Sequence, residues 1–213
     1  MNGNYLYHMV DKITDIKLRI LSWYRSDYGK GYHVRELATL LGKSHVTLLP
    51  HLKGLEEDDI LIPKKSGKNK VYFLNLENLV AKKYLILVEH ATSMFYLQEV
   101  FLIKKITEEL AKLDLGGTFL LFGSYAKRSF KEDSDVDLFY VGDINSSEIQ
   151  KVKNIGKIYG KTLHFQKSTM KNFNTSLRTL YPFINEIMNH HILLQNPEPF
   201  IQALWNYYNE IKR

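Results

Sequence analysis

The chain has 213 residues, 45% hydrophobic and 13% aromatic, with a formal net charge of +6. That apolar content suits one large or two small cores and excludes a globally disordered chain. There is no cysteine, which excludes a disulfide framework, a thiolate metal site and a cysteine nucleophile, and fits a reducing compartment. The first residues lack a basic start followed by an apolar core, and no apolar run reaches the ~18–20 residues of a spanning helix, so the expected location is cytoplasmic, without a membrane partner.

From Tyr5 to about Trp23 the apolar residues Leu6, Met9, Ile13, Ile16, Leu18, Ile20 and Leu21 fall at helical spacing. The cluster Ser26-Asp27-Tyr28-Gly29-Lys30-Gly31 predicts a turn. Val34, Leu37 and Leu40 mark a short helix that Gly42 ends. Ser44 caps a second helix running to about Leu55, and Pro50 inside it predicts a kink or a later start. Two segments, Ile60–Lys65 and Lys70–Asn75, flank the polar Ser66-Gly67-Lys68-Asn69 and predict a hairpin. Helix, short helix, turn, helix and basic hairpin in this order resemble a winged helix-turn-helix, with GLEEDDILIPKKSGKNKVYFLN as the most telling segment.

That resemblance implies double-stranded DNA as a partner. Ser44, His45, Thr47, His51 and Lys53 would face base edges from the second helix of the motif. Lys64, Lys65, Lys68 and Lys70 on the hairpin would neutralise phosphates. Residues 1–75 carry twelve basic and eight acidic side chains, so most of the excess positive charge sits here. Two features stand against it. The acidic run Glu56-Glu57-Asp58-Asp59 lies between helix and hairpin, and lysines on a hairpin also serve simply to solvate it.

From Leu76 to about Leu113 the spacing predicts two helices, broken near His90-Ala91-Thr92-Ser93. They read as a connecting helix followed by the first helix of the next domain. A dimerising helix pair is the other reading, and a homodimer is the expected assembly.

The centre of the chain is Thr118 to Val141, TFLLFGSYAKRSFKEDSDVDLFYV. An apolar run ends in Gly123-Ser124; ten residues then intervene before Asp135-Val136-Asp137 and a second apolar run. Strand, tight turn into a helix N-terminus, loop and strand is the predicted order. Carboxylates at i and i+2 of a strand share a face. A glycine-serine turn that opens a helix offers unpaired N–H groups and the positive end of the helix dipole. Acids for divalent cations beside a cradle for phosphate suit a metal–triphosphate complex. Downstream, the pattern predicts a helix from Ser146 to about Tyr159, a half-buried strand Lys161–Gln166, a helix from Thr169 to about His190 interrupted near Tyr181-Pro182, a short apolar segment Ile192–Leu194, and a last helix started by Pro197 or Pro199.

The stretch FGSYAKRSFKEDSDVDLF resembles the nucleotidyltransferase fold of the DNA polymerase β superfamily, and more closely its small prokaryotic minimal members. The resemblance spans about Leu97 to Trp205. It implies that Gly123 and Ser124 hold the phosphates of a nucleoside triphosphate such as ATP, and that Asp135 and Asp137 bind Mg²⁺. It also implies transfer of a nucleoside monophosphate to a hydroxyl of a small molecule or of a protein such as a cognate toxin. Lys127 and Arg128 read either as phosphate partners or as solvated cations; Glu132 and Asp133 read as loop acids.

Two departures stand out. The family usually has glycine where Arg128 stands, and it carries a third carboxylate on the next central strand. Here that strand offers Thr162, His164 and Gln166. His164 reads either as a substitute base or ligand or as an ordinary strand histidine. The expected chain is α+β, with a winged helix domain at 1–75, a connecting helix at 76–96, and a nucleotidyltransferase-like domain with a mixed sheet flanked by helices at 97–213. The alternative is a DNA-binding regulator whose nucleotidyltransferase domain has lost catalysis and senses a nucleotide or dimerises.

Overall fold

A computed structural model describes residues 15–67, 69–179 and 181–211. The chain divides into two compact units, Met1–Ala91 with Leu204–Arg213, and Thr92–Ala203. Most of the helix expected from Tyr5 lies outside the described residues, as does Lys68.

In the first unit, helix α1 (Ile16–Leu21) is capped by Asp15, whose carboxylate accepts from the Leu18 N–H. One 3₁₀ turn follows, Ser22–Tyr24, then strand β1 (Tyr32–His33), helix α2 (Val34–Leu41), helix α3 (His45–Glu57) and the hairpin β2 (Leu61–Ser66) and β3 (Asn69–Leu74). The three strands form an antiparallel sheet in the order β1-β3-β2. Gly42 ends α2 in the left-handed conformation, and the Ser44 hydroxyl caps α3 by accepting from Thr47 N–H. The helix therefore starts at His45 despite Pro50, which sits on an exposed turn. The core gathers Ile20, Leu21, Leu37, Leu48, Leu52, Leu55 and Leu74. The Tyr24 hydroxyl donates to the Tyr72 carbonyl, and Arg25 makes two charge-assisted hydrogen bonds to Glu89, at 2.8 and 2.7 Å.

Helix α4 (Leu79–Glu99) runs without interruption through the expected break at His90–Ser93. Thr92 and Ser93 are buried within it, so packing overrides the weak helical preference of such residues. The break comes at Val100, whose backbone leaves the helical region (φ −111°, ψ 83°) before helix α5 (Phe101–Ala111).

The second unit is built on β4 (Thr118–Phe122), β5 (Val136–Val141), β6 (Leu163–Ser168) and β7 (Ile192–Gln195), in the order β6-β5-β4-β7. β5 and β6 are parallel and the other pairs antiparallel. Besides α5, its helices include the one-turn α6 (Gly123–Ala126), α7 (Ser146–Ile158), α8 (Met170–Arg178) and α9 (Pro182–Asn189). Helix α10 (Pro197–Ile211) ends the described chain. The parallel β5–β6 pair requires a crossover, which α7 supplies. Gly156 of α7 packs on Leu163 so closely that a Cβ there would lie 2.7 Å from the leucine Cγ. Leu163 and His164 point to opposite faces of β6, so α7 covers one face of the sheet and leaves the His164 face to other elements. On that face Phe139 of β5 meets Phe173 of α8 and Phe183 of α9, with ring centroids 6.2 and 5.3 Å apart. An α+β architecture with a mixed sheet thus holds in this unit. Among the described residues no helix is long and apolar enough to cross a membrane.

Candidate functional site

The two aspartates and the glycine-serine turn converge as the spacing predicts. Phe122 pairs with Asp137 across β4 and β5, so the chain leaves β4 and enters α6 directly beside the acid. Gly123 takes φ +65°, and a Cβ on it would come within 2.9 Å of the Asp137 Cγ. Only glycine fits both the left-handed backbone and this approach. The Tyr96 hydroxyl fixes the turn by donating to the Tyr125 carbonyl at 2.8 Å. The Tyr125 ring stacks on Phe130 at 4.3 Å, which props the loop leading to the acids. The N–H groups of Ser124 and Tyr125, in the first turn of α6, have no intrahelical acceptor.

His164 lies in parallel register with Asp137. Its Nε2 is 3.4 Å from Asp135 Oδ2 and its Nδ1 is 3.4 Å from Asp137 Oδ1. The ring therefore stands between the two acids. The side chains are 44% exposed for Asp135, 25% for Asp137 and 57% for His164, so a ligand can reach all three from solvent. Burial raises the Asp137 pKa; His164 opposes the rise, while Asp135 and Glu186 add to it. A carboxylate destabilised by burial and by like charge gains from an added cation.

These residues sit inside a segment with a known pattern: residues 103–202 match the family model described as Nucleotidyltransferase domain. No curated protein and no solved structure matches the chain.

Within the matched segment the two basic residues after the turn have different surroundings. Arg128 adopts φ +54°, forms an ion pair with Glu99, and places its guanidinium 5.0 Å from the Tyr96 ring centroid. Both charged side chains are mostly buried, at 14% and 18% exposure. Arg128 therefore ties the loop to α4. Lys127 ends α6 and forms an ion pair with Glu186 of α9. Burial lowers the His190 pKa, Lys127 acts in the same direction and Glu186 opposes it, so both charges lie within reach of that ring. Glu186 escapes sequence reasoning, because nothing at positions 182–189 marks which helix face meets the sheet.

Among the described residues no group of three or more His, Cys, Asp or Glu is placed to hold a metal ion by itself. Two carboxylates nevertheless fit Mg²⁺ that arrives with a nucleotide, since this ion commonly takes one or two protein carboxylates and completes its shell with phosphate oxygens and water. Imidazole is a poor Mg²⁺ ligand.

The residues expected at a DNA surface lie in the first unit. Ser44 is occupied in capping α3, and its hydroxyl is 2.8 Å from that of Thr47. His45 opens α3 and, with His33, Arg35, Asn69 and Lys70, lines a cleft of about 350 Å³. Val46 and Leu49 on the same helix are exposed, and His51 is half-buried. Lys53 pairs with Glu57 at 3.5 Å, and Lys70 with Glu56 at 3.0 Å. The acidic run thus engages two of the expected cations. Lys64 lies 5.0 Å from the Phe73 ring centroid, and Lys65 is exposed.

Proposed function

We propose that the protein is a metal-dependent nucleotidyltransferase that moves a nucleoside monophosphate, AMP from ATP, onto a hydroxyl of a protein or small molecule. The observation that carries this reading is the packing of Gly123 against Asp137, which sets a phosphate-binding turn edge-on to a paired-acid strand. The Ser124 hydroxyl and the N–H groups of the turn receive the terminal phosphates, and Lys127 adds a positive charge. Asp135 and Asp137 would hold Mg²⁺, which would supply positive charge to the triphosphate and acidify the acceptor hydroxyl. His164 occupies the position where the resemblance implies a third acid, and its ring stands between the two carboxylates. The pairing of Phe122 with Asp137 sets the turn beside the acid, and such positioning is most of what phosphoryl chemistry asks of a protein.

The experiment is incubation of the full chain with Mg²⁺, α-labelled ATP and a cell lysate, beside Asp135→Ala/Asp137→Ala. Label should pass to an acceptor with the wild-type chain and fall to background with the double variant. Equal labelling by both would sink the reading.

A second reading concerns the first unit. Helix, strand, two helices and a hairpin, with the sheet order β1-β3-β2, support a winged helix-turn-helix at 1–75 that binds duplex DNA through α3 and the hairpin. In that case the nucleotidyltransferase domain regulates, or is regulated by, DNA binding, and the chain works as a homodimer. Titration of duplex DNA at several salt concentrations tests it. Absence of binding at low salt removes it.

A further inference from the structure

The expected third carboxylate is missing from β6, yet the charge of an unassigned acid reaches Asp137 from another element. We propose that Glu186 of α9 is the proton acceptor of the reaction, kept in an ion pair with Lys127 until triphosphate oxygens draw the lysine away. The inference rests on the nucleotidyl-transfer reading and supplies the group that reading lacks.

Three features of the fold carry it. The first is the placing of α9. Asp137 and Phe139 are two apart on β5 and therefore share a face. Phe183 of α9 packs edge-on against Phe139 at 5.3 Å, and against Phe122, the partner of Asp137, at 5.2 Å. Helix α9 thus covers the acid-bearing face, and Glu186 follows Phe183 by three residues, less than one turn. The second is the partner: Lys127 is the residue that ends α6, so Glu186 is tethered to the phosphate-binding turn itself. The third is accessibility. The Lys127 and Glu186 side chains are 38% and 39% exposed, so the pair can open without unfolding its surroundings.

An exposed lysine–glutamate pair contributes little to stability, and this one joins residues 59 apart in sequence. Phosphate oxygens compete well for an ammonium group. When Lys127 turns to the triphosphate, the Glu186 carboxylate loses its hydrogen-bonded partner and has an oxygen free to accept a proton. His164 is less suited to this task, because both of its nitrogens are turned to the aspartates. In the step, the acceptor O–H bond breaks and its proton passes to the Glu186 carboxylate. The acceptor oxygen bonds to the α-phosphorus as the bond from that phosphorus to the bridging oxygen breaks, and pyrophosphate leaves. No oxidation or reduction occurs.

The test uses the full chain with Mg²⁺, α-labelled ATP and a cell lysate as the source of hydroxyls, and in parallel the binding of a non-hydrolysable ATP analogue. Glu186→Gln should cut transfer by ~10²–10⁴-fold, the usual contribution of a positioned base. Affinity for the analogue should stay equal to or tighter than that of the wild type, since Lys127 is released. Lys127→Met should weaken analogue binding by roughly tenfold, as expected for one charge-assisted contact. Added formate should restore transfer to Glu186→Ala and not to Asp135→Ala, an outcome that a merely structural glutamate cannot produce. Wild-type transfer by Glu186→Gln overturns the role of Glu186 alone. Loss of transfer together with analogue binding, without rescue by formate, also overturns it and makes Glu186 an anchor for Lys127. A wild-type chain that binds the analogue and transfers nothing overturns the nucleotidyl-transfer reading, and the proton role with it.

Discussion

Gly123 stands so close to Asp137 that a Cβ on the glycine would lie 2.9 Å from the carboxyl carbon. Gly123→Ala is expected to act twice. The left-handed φ of +65° strains any L side chain, and the methyl group must displace the acid from its place beside the turn. Strain and overpacking of this kind each cost ~1–3 kcal/mol. Thermal unfolding should show a Tm lower by several degrees, and Mg²⁺-dependent nucleotide binding should weaken by more than the loss of stability explains. A variant with unchanged melting and binding would show that the turn and the acid are not mechanically linked.

Asp137 predicts a trade between stability and function. Its pKa is raised above the ordinary value of 3.8, chiefly by burial. The folded state therefore holds the proton more tightly than the unfolded chain. Its contribution is favourable when the acid is protonated, and it declines as pH rises from the ordinary carboxyl value through the raised one. Asp137→Asn removes that decline. The metal-free variant should be more stable than the wild type at neutral pH by about 0.5–2 kcal/mol, as is common at strained functional sites. Added Mg²⁺ with nucleotide should raise the wild-type Tm and leave that of the variant unmoved, while transfer is lost. Melting curves from pH 4 to pH 8, with and without the ion, check each part.

Arg128 and Glu99 make a third case. The arginine tolerates φ +54° because its guanidinium is held by Glu99 and by the Tyr96 ring. Removing either charge leaves the other mostly buried and without its main counter-ion. Breaking a fully buried pair costs ~3–5 kcal/mol; at 14% and 18% exposure the expected loss for Glu99→Gln or Arg128→Gln is about 2–3 kcal/mol. The double variant should lose less than the two single losses combined. Urea unfolding of the four chains measures the coupling, and strict additivity would remove the pair from the account of this loop.

Much of this site is legible in the sequence. A five-residue apolar strand, a glycine-serine turn and acids at i and i+2 encode local geometry, and the structure assembles them without rearrangement. His164 is also legible, because strand alternation places it on the acid face. Features that depend on docking are not. Glu186 meets Lys127 only because Phe183 seats α9 on the sheet, and no spacing in 182–189 encodes that seat. β1 has two residues, too few for any alternation to register. The continuity of α4 is decided by the burial of Thr92 and Ser93, where local preference points the other way. Arg128 looks like a phosphate ligand in one dimension and is an interior anchor in three.

The first unit yields the last prediction. If α3 and the hairpin bind duplex DNA, Lys64 and Lys65 are the cations not tied to an acid among the hairpin contacts described, whereas Lys70 is held by Glu56 and Lys53 by Glu57. A phosphate contact made by a lysine already paired must first break that pair, so it adds less to affinity. Lys64→Ala and Lys65→Ala should each weaken binding uniformly across sequences and reduce the slope of log affinity against log salt by about 1. Lys53→Ala should change the slope by less than that. Glu56→Gln should tighten binding at low salt, because it frees Lys70 and removes a negative charge beside the cleft that His45 lines. Fluorescence anisotropy of a labelled duplex at three or more salt concentrations separates these outcomes. A Glu56→Gln chain that binds no better than the wild type would mean that the Glu56–Lys70 pair lies outside any DNA-contacting face.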